Sequence, residues 1–317
     1  MNLTVAAQNI VLLDALRQVV QALQRAGVSP LILTGAALAE TVYANISLRP
    51  MVDIDLLIRE EEIEKVKTCL TALGYVLQGN EDLGFYRNIR FPVYLDIHYK
   101  IWYLSDAAFQ RLWQESQPVT IAGTSARMMP ADEALIYTAA HAVIHHGTFA
   151  PTALEDINHI CRFYESSLAW DQIVKKVKEY NLAVPLYHIF SEAKRARDAP
   201  IPDDALNSLR PSSLDQRVES AIYKSILSAP PAANIGHILK LFSRPGFRGK
   251  IRFLADCLFP SRAFIARRYN VSKPWFISGY QFARPLLLGA ALAKLIFNWS
   301  ANHIRRHLNH GLVKPKA

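Results

Sequence analysis

Met51-Val-Asp53-Ile-Asp55-Leu-Leu-Ile58 carries the clearest strand pattern of this 317-residue chain. Its two aspartates alternate with apolar residues, and in a β-strand successive side chains point to opposite faces. Asp53 and Asp55 therefore share one face of the predicted strand, while Ile54 and Leu56 face a core. Two carboxylates so close together repel each other unless a cation lies between them, and hard oxygen ligands favour Mg²⁺ over softer metals. A solvated polar strand face is the alternative interpretation.

An apolar strand and a small-residue turn precede this stretch. Leu31-Ile-Leu-Thr-Gly35-Ala-Ala-Leu38 predicts a strand, a tight turn and the start of a helix. The backbone N–H groups at a helix N-terminus form a ready anion site, so the turn is a candidate for binding a triphosphate. Arg49, just before the aspartate strand, is placed to meet the same anion. The candidate nucleotide-binding residues are Thr34, Gly35, Ala36 and Arg49.

A third carboxylate lies on the later strand Tyr94-Leu-Asp96-Ile-His98. Its apolar flanks should face the core, so Asp96 shares its strand face with His98. Together with Asp53 and Asp55 it would complete a three-carboxylate site for metals that neutralise a triphosphate and align an attacking oxygen. His98 could orient a carboxylate from a second shell or accept a proton.

These motifs resemble the DNA polymerase β-like nucleotidyltransferase superfamily, whose signature is hG[GS], a spacer, Dh[DE]h and a later carboxylate. The chain is most similar to a poorly characterised bacterial nucleotidyltransferase-like group with the motifs L-x-G-x-x-L, R-x-x-x-D-I-D-L-L and L-D-I-H. The matching stretches are Leu33–Leu38, Arg49–Leu57 and Leu95–His98. Two departures stand out: Ala36 replaces the usual second Gly or Ser, and the spacer before Asp53 is longer than usual.

The resemblance implies an α+β fold, with a polymerase β-like mixed sheet and flanking helices followed by a mainly helical C-terminal region. It implies transfer of an NMP group from an NTP, expected to be ATP, to a hydroxyl-bearing acceptor that the sequence does not identify. Two Mg²⁺ ions, or Mn²⁺ as a substitute, would be held by Asp53, Asp55 and Asp96, and Asp96 would activate the acceptor hydroxyl. Two alternatives remain: a non-catalytic relative that binds a nucleotide or partner, and an RNA-acting transferase.

The periodicity of apolar residues predicts three regions. They are a nucleotidyltransferase domain over 1–128, a helical domain over 129–242 and a basic, apolar helical segment over 243–317. The predicted strands are 31–34, 52–58, 75–78, 84–90 and 93–99. The predicted helices are 3–26, 36–46, 60–73, 152–165, 170–180, 184–197, 213–227 and 234–242, and a further helix starts at Pro130. The Pro- and Asp-rich segment 198–211 is predicted to be a loop or linker.

Composition indicates a globular protein of a reducing compartment. Hydrophobic residues make up 51% and charged residues 20% of the chain, enough for a substantial core. Its three cysteines (Cys69, Cys161 and Cys257) are far apart and form no C-x-x-C, which indicates free thiols. Asp14 and Arg17 interrupt the apolar pattern of the N-terminus, so no secretory signal is predicted there. We expect a cytoplasmic protein.

A histidine group at His141, His145 and His146 has three interpretations. A metalloprotease helix is excluded because Ala142 stands where H-E-x-x-H requires glutamate. The group could form a second metal site, a hydrogen-bonded seam between helices, or a contact with the nucleotide or acceptor.

Charge is distributed unevenly along the chain. Residues 1–160 hold 11 Lys and Arg against 17 Asp and Glu, whereas residues 161–317 hold 25 against 10. This asymmetry implies an anionic partner. The apolar run Trp275–Trp299 is interrupted at Arg284, Pro285 and Lys294, so its uninterrupted stretches are far shorter than the roughly 20 residues that span a bilayer. We expect the C-terminal segment from about Lys240 to dock on an anionic membrane surface, on the inner face of the membrane. The alternatives are an amphipathic closing helix of the helical half and a contact with nucleic acid.

Overall fold

The computed structural model describes residues 3–78, 84–227, 241, 246–259, 262, 265, 273 and 275–286. Contacts between Cα atoms divide the chain into two units, Met1–Gly246 and Phe247–Ala317. The predicted domain boundaries after residues 128 and 242 stay predictions. The predicted helix 234–242 lies, apart from residue 241, outside the described residues.

A seven-stranded mixed sheet forms the centre of the first unit, in the order β3-β4-β5-β2-β1-β7-β6. Its strands are β1 (Leu31–Ile32), β2 (Ile54–Leu57), β3 (Tyr75–Leu77), β4 (Phe85–Asn88), β5 (Tyr94–His98), β6 (Gln117–Ile121) and β7 (Thr124–Met128). Two neighbouring pairs, β2 with β5 and β1 with β7, run parallel, and the other pairs run antiparallel. The parallel pairing of β2 with β5 places the two aspartate-bearing strands side by side.

Helices flank the sheet and then make up the rest of the first unit. They are α1 (Leu3–Arg25), α2 (Thr34–Thr41), α3 (Ile63–Ala72), α4 (Asp106–Glu115), α5 (Ala131–Ala140), α6 (Pro151–Phe163), α7 (Trp170–Glu179), α8 (Ala183–Arg197), α9 (Asp203–Leu209) and α10 (Leu214–Leu227). Short 3₁₀ turns lie at Ile46–Leu48 and Glu60–Glu62, and a π-helical turn at His141–His145 follows α5. The predicted fold class, a mixed sheet with flanking helices and a mainly helical C-terminal region, is confirmed.

Helix α1 shows how the sequence pattern builds the core of the sheet. Its apolar residues recur every three or four positions, so Leu12, Leu16 and Val19 lie on one buried face. That face packs in the same cluster as Ile54 and Leu56 of β2. Among the residues that the structure describes, α1 is the one helix whose length and apolar composition would let it cross a bilayer.

A second core fills the helical part of the first unit. Side chains of α5, α6 and α8, including Leu135, Ile157 and Phe190, are fully buried in one cluster there. The cluster also contains Leu38 and Tyr43, which belong to α2 and the turn after it. The helical part therefore packs directly on the segment that was predicted to bind the triphosphate.

Several elements differ from those predicted. Helix α2 begins at Thr34 instead of residue 36 and ends at Thr41 instead of residue 46. Helix α4 and strands β6 and β7 were not predicted. The predicted loop 198–211 is wrong, because it contains α9. Acidic Asp203 and Asp204 favour the N-terminus of that helix, and its Leu209 is buried.

The second unit contains helix α11 (Gly246–Leu258) and a helix over 275–286. The guanidinium Nε of Arg284 donates a hydrogen bond of 2.7 Å to the carbonyl oxygen of Cys257. These two helices are therefore in direct contact.

Candidate active site

The register of two neighbouring strands places the aspartates together. In the parallel pair β2–β5, Asp55 lies opposite Asp96 and Leu57 lies opposite His98. Ile54 and Leu56 are buried on the other face of β2, as strand alternation requires. Two segments forty residues apart in sequence thus present their polar side chains on one face of the sheet.

Asp55, Asp96 and His98 form a compact trio. His98 Nε2 lies 3.3 Å from Asp55 Oδ1 and 3.5 Å from Asp96 Oδ2. One potential ligand atom from each of the three residues lies within 4.8 Å of the other two. The Asp96 side chain is 30% exposed and that of Asp55 15%, so Asp96 is the more accessible of the two carboxylates.

Burial and charge act in opposite directions on this trio. Burial disfavours the ionised form of Asp55, but the hydrogen bond and charge of His98 outweigh it and lower the pKa of that carboxyl. Burial likewise disfavours the charged imidazole, but the hydrogen bond to Asp55 and the charges of Asp96 and Asp55 raise the pKa of His98. The site therefore favours a positive charge between its two carboxylates.

Asp53 lies just before β2 and borders the trio without belonging to it. Burial, followed by the negative charges of Asp55 and Asp96, raises the pKa of Asp53 to about 6. All three predicted carboxylates thus act on one another electrostatically. Their roles as metal ligands stay predictions.

The donor set fits a hard divalent cation. Oxygen ligands of Mg²⁺ lie about 2.0–2.1 Å from the ion, so two of them around one ion are about 3–4 Å apart. The ligand atoms of Asp55 and Asp96 lie within the 4.8 Å that the trio spans, and like carboxylates at that separation favour a cation between them. Among the described residues, no second group of three such side chains meets this spacing.

The N-terminus of α2 lies next to β2. Its N-cap residue, Leu33, has extended backbone and no side-chain oxygen to cap the helix. The Leu33 N–H donates to the carbonyl oxygen of Asp55 at 3.0 Å, which ties the start of α2 to the aspartate strand. The first N–H groups of α2, from Thr34, Gly35 and Ala36, are those that a helix leaves without intrahelical partners.

Arg49 lies directly beside this helix start. A Cβ atom on Gly35 would lie 3.7 Å from Nη1 of Arg49, an ordinary van der Waals contact, so the guanidinium lies close to the backbone of α2. The side chain of Arg49 is 16% exposed. The structure therefore brings together the predicted nucleotide-binding residues, whose role stays a prediction.

A buried carboxylate from the helical part holds Arg49 in place. Arg49 donates from Nε and Nη2 to the two oxygens of Asp156, at 3.1 and 2.8 Å. The Tyr43 hydroxyl donates to Asp156 Oδ1 at 2.7 Å. Asp156 on α6 is only 2% exposed, so this paired carboxylate is a structural anchor for the guanidinium.

A second anchor comes from α1. Asn9, fully buried, donates from Nδ2 to the carbonyl oxygens of Ile46 and Arg49 at 2.6 and 2.8 Å. The contributions of Asn9 and Asp156 were not predicted from the sequence. In each case the sequence offered one signal of a buried polar contact, namely a short polar residue on an otherwise apolar face of a helix.

His141 lies near the carboxylate site, and the rings of His145 and His146 pack against it. The His141 ring centroid is 4.7 Å from that of His145 and 4.6 Å from that of His146, and it stacks on Tyr137 at 5.4 Å. Burial lowers the pKa of His141 to about 3, against the opposing charge of Asp55. A π-helical turn carries His141 and His145, and such turns are frequent at functional sites.

A family described as uncharacterised nucleotidyltransferase matches residues 1–197. That range contains the three predicted carboxylates, the N-terminus of α2, Arg49 and Asp156. No curated protein matches the chain.

Two solved structures are similar to part of this chain at low sequence identity. The solution structure of the antibiotic-resistance factor ANT(2'')-Ia is 15% identical, with a TM-score of 0.41 over 61% of this chain and 96% of that one. The crystal structure of an antigenic nucleotidyltransferase-like protein from Paracoccidioides brasiliensis is 17% identical, with a TM-score of 0.42 over 62% of this chain and 93% of that one.

Proposed function

This chain belongs to the uncharacterised nucleotidyltransferase family, and we propose that it transfers an NMP group from an NTP to a hydroxyl-bearing acceptor with the help of divalent cations. The observation that supports this proposal is the meeting of Asp55 and Asp96 on neighbouring strands, with Asp53 beside them. ATP is the expected donor and Mg²⁺ the expected ion, with Mn²⁺ as a substitute.

The carboxylates would hold the cations. Asp53 and Asp55 are the proposed ligands, with Asp96 as the third, and His98 orients the two strand carboxylates through its imidazole. When bound, the cations supply charge neutralisation of the triphosphate and alignment of the attacking oxygen.

The N-terminus of α2 and Arg49 would bind the triphosphate. Backbone N–H groups of Thr34, Gly35 and Ala36 attract phosphate oxygens because they carry the positive end of the helix dipole. Arg49 has five N–H donors, of which three are used on Asp156 and the Pro50 carbonyl oxygen. Two N–H donors on its Nη atoms are left for phosphate oxygens.

Asp96 is the proposed proton acceptor. The acceptor hydroxyl oxygen forms a bond to the α-phosphorus as the bond from that phosphorus to the pyrophosphate oxygen breaks, and the hydroxyl proton passes to a carboxylate oxygen of Asp96. The greater exposure of Asp96 relative to Asp55 supports this role, because the acceptor must reach it. In-line geometry and positioning supply most of the catalysis in such transfers.

The test is cation-dependent nucleotide binding by carboxylate variants. Asp53→Asn and Asp55→Asn should each weaken Mg²⁺–ATP binding by at least about tenfold in isothermal titration calorimetry, since each removes one charged ligand. Asp53→Asn should leave the metal-free protein at least as stable as wild type, because the fold disfavours the ionised form of that carboxylate.

Asp171→Asn is the matched control, since Asp171 is an exposed aspartate on α7. It should bind Mg²⁺–ATP as wild type does. If both site variants also bind as wild type does, the assignment of the metal site is wrong.

Activity and acceptor need a second experiment. The protein is incubated with Mg²⁺ and each labelled NTP, and candidate acceptors are screened for the mass of one added NMP. Transfer to RNA together with salt-sensitive RNA binding would instead support an RNA-acting transferase. Nucleotide binding without transfer to any acceptor would favour a non-catalytic relative of the same fold.

A further inference from the structure

The helix over 275–286 presents its apolar face to solvent. Trp275, Phe282 and Leu286 are 65%, 80% and 77% exposed. With Gly279, also exposed, they recur at spacings of four, three and four residues, so they form one stripe along the helix. Ile277, on a different face, is 9% exposed. We call Trp275, Gly279, Phe282 and Leu286 the apolar stripe.

Helix α11 adds a second exposed apolar group. Ile251 and Leu254, three residues apart on one side of α11, are about half exposed, and Phe259 just beyond its end is more exposed still. The hydrogen bond from Arg284 to Cys257 joins α11 to the helix that carries the stripe. Two adjoining helices of the second unit thus expose large apolar side chains.

The same unit carries a strong positive charge. From residue 247 to the end the sequence has 13 Lys and Arg against one acid, Asp256. Arg252, Arg262 and Lys273 are exposed in the structure. Segments that lie on an anionic bilayer typically combine exposed apolar side chains with cationic residues.

We propose that the second unit docks on an anionic lipid surface through the apolar stripe. The stripe would enter the boundary between head groups and acyl chains, Trp275 suits that boundary, and the cations would meet anionic head groups. The apolar run Trp275–Trp299 is interrupted at Arg284, Pro285 and Lys294, which leaves stretches far shorter than the roughly 20 residues that span a bilayer. It is therefore expected to lie on the membrane surface.

Charge also argues against a second copy of the chain as the occupant. A symmetric pairing would bring together two copies of a unit that holds 13 Lys and Arg against one acid, because a two-fold interface uses the same patch on both subunits. Like charges across an interface oppose association. An anionic bilayer offers both an apolar interior and the complementary charge.

The test uses the full-length protein and vesicles of two compositions. We expect co-sedimentation with phosphatidylcholine vesicles that contain about a third phosphatidylglycerol, and little with vesicles of phosphatidylcholine alone. Raising NaCl from low to high concentration should weaken binding, because salt screens the head-group attraction. No binding of the full-length protein to anionic vesicles at low salt would overturn the proposal.

A matched pair of double variants tests the stripe itself. Phe282→Gln with Leu286→Gln should lower the partition coefficient on anionic vesicles roughly tenfold or more, because two large apolar side chains are removed. Leu214→Gln with Val218→Gln is the control, since these exposed residues have the same spacing on α10 in the other unit. The control should bind as wild type does.

Three further results would overturn the proposal. The first is wild-type binding by the stripe variant. The second is a concentration-dependent dimer that the stripe variant abolishes while vesicles fail to bind, which would make a second copy the occupant. The third is binding of single-stranded RNA with no binding of anionic vesicles, which would make nucleic acid the partner of the cations.

Discussion

At the scale of single residues, the candidate site depends on a carboxylate that carries no chemistry itself. Asp156 is buried in the helical part of the first unit, yet it accepts two hydrogen bonds from Arg49 beside the α2 turn. Tyr43 completes its partners. A buried charge is tolerated only when it is paired and hydrogen-bonded, so Arg49 and Asp156 fix each other's position.

Replacing this carboxylate should weaken triphosphate binding without touching the nucleotide. Asp156→Asn keeps the shape of the side chain but leaves the Arg49 charge unpaired, which costs about 3 kcal/mol of stability by analogy with broken buried pairs. The guanidinium should then lose its fixed orientation, and the affinity for Mg²⁺–ATP should fall about tenfold while that for the nucleoside changes little. Calorimetry with both ligands measures the difference.

Glu155→Gln provides the control on the same helix. Glu155 pairs with Arg197, away from Arg49, and both of these side chains are partly exposed. This variant should bind Mg²⁺–ATP as wild type does. Equal losses of nucleoside and triphosphate affinity in Asp156→Asn would mean that Asp156 only supports the fold.

At the scale of elements, alternation on the two aspartate strands was readable from sequence, but their pairing was not. The pattern around Asp55 and Asp96 predicted which side chains share a face of each strand, because the period of a strand is fixed. That β2 and β5 are parallel neighbours depends on contacts between distant segments. The position of α9 was missed for a similar reason, since the burial of Leu209 against other helices outweighed the Pro- and Asp-rich composition.

A buried ion cluster joins α5 to α7. Lys176 on α7 lies 2.9 Å from Glu133 and 2.7 Å from Asp132, and Tyr180 donates to Glu133 at 2.8 Å. Burial raises the pKa of Glu133 although Lys176 acts in the opposite direction. Glu133 therefore needs the lysine to remain ionised inside the fold.

Removing the lysine should destabilise the helical part. Lys176→Met leaves Glu133 buried without its cation, and breaking such a pair costs about 3–5 kcal/mol. Adding Glu133→Gln to Lys176→Met should restore much of the loss, because no buried charge then remains. Urea unfolding of the two variants measures both effects.

The surface pair of Lys67 with Glu64 serves as the comparison, since the Glu64 side chain is 82% exposed. Lys67→Met should cost less than about 1 kcal/mol, as exposed ion pairs generally do. If Lys176→Met costs as little as Lys67→Met, Glu133 is neutral in the fold and the ion cluster is not what holds α5 to α7.

At the scale of the whole molecule, the sequence predicted the class of the fold and the face that carries the carboxylates. It did not predict that Asp156, in the helical part, would contact Arg49 beside the N-terminus of α2. Local patterns such as Asp53-Ile-Asp55 report the strand that contains them, whereas Asp156 and Asn9 act through contacts more than 35 residues away in sequence. Only the folded chain shows those contacts.

The buried side chain of His188 should make the stability of the first unit depend on pH. His188 on α8 is 8% exposed, and its Nε2 lies 3.0 Å from the hydroxyl oxygen of Ser220 on α10. Burial and then the positive charge of Lys224 lower the pKa of His188 to about 4. The folded chain therefore keeps this ring neutral at a pH where the unfolded chain, with an ordinary pKa of about 6.5, binds a proton.

Acidification should weaken the wild-type protein more than His188→Gln. Because the pKa is lowered in the fold, stability is complete above about pH 6.5 and falls as the pH drops toward 4. Between pH 7.5 and pH 5 the wild type should lose about 2 kcal/mol more than the variant, which has no proton to gain at this position. Urea unfolding of both full-length proteins across this range measures the difference. Parallel pH profiles would show that His188 is protonated in the folded chain and that the contact between α8 and α10 tolerates the charge.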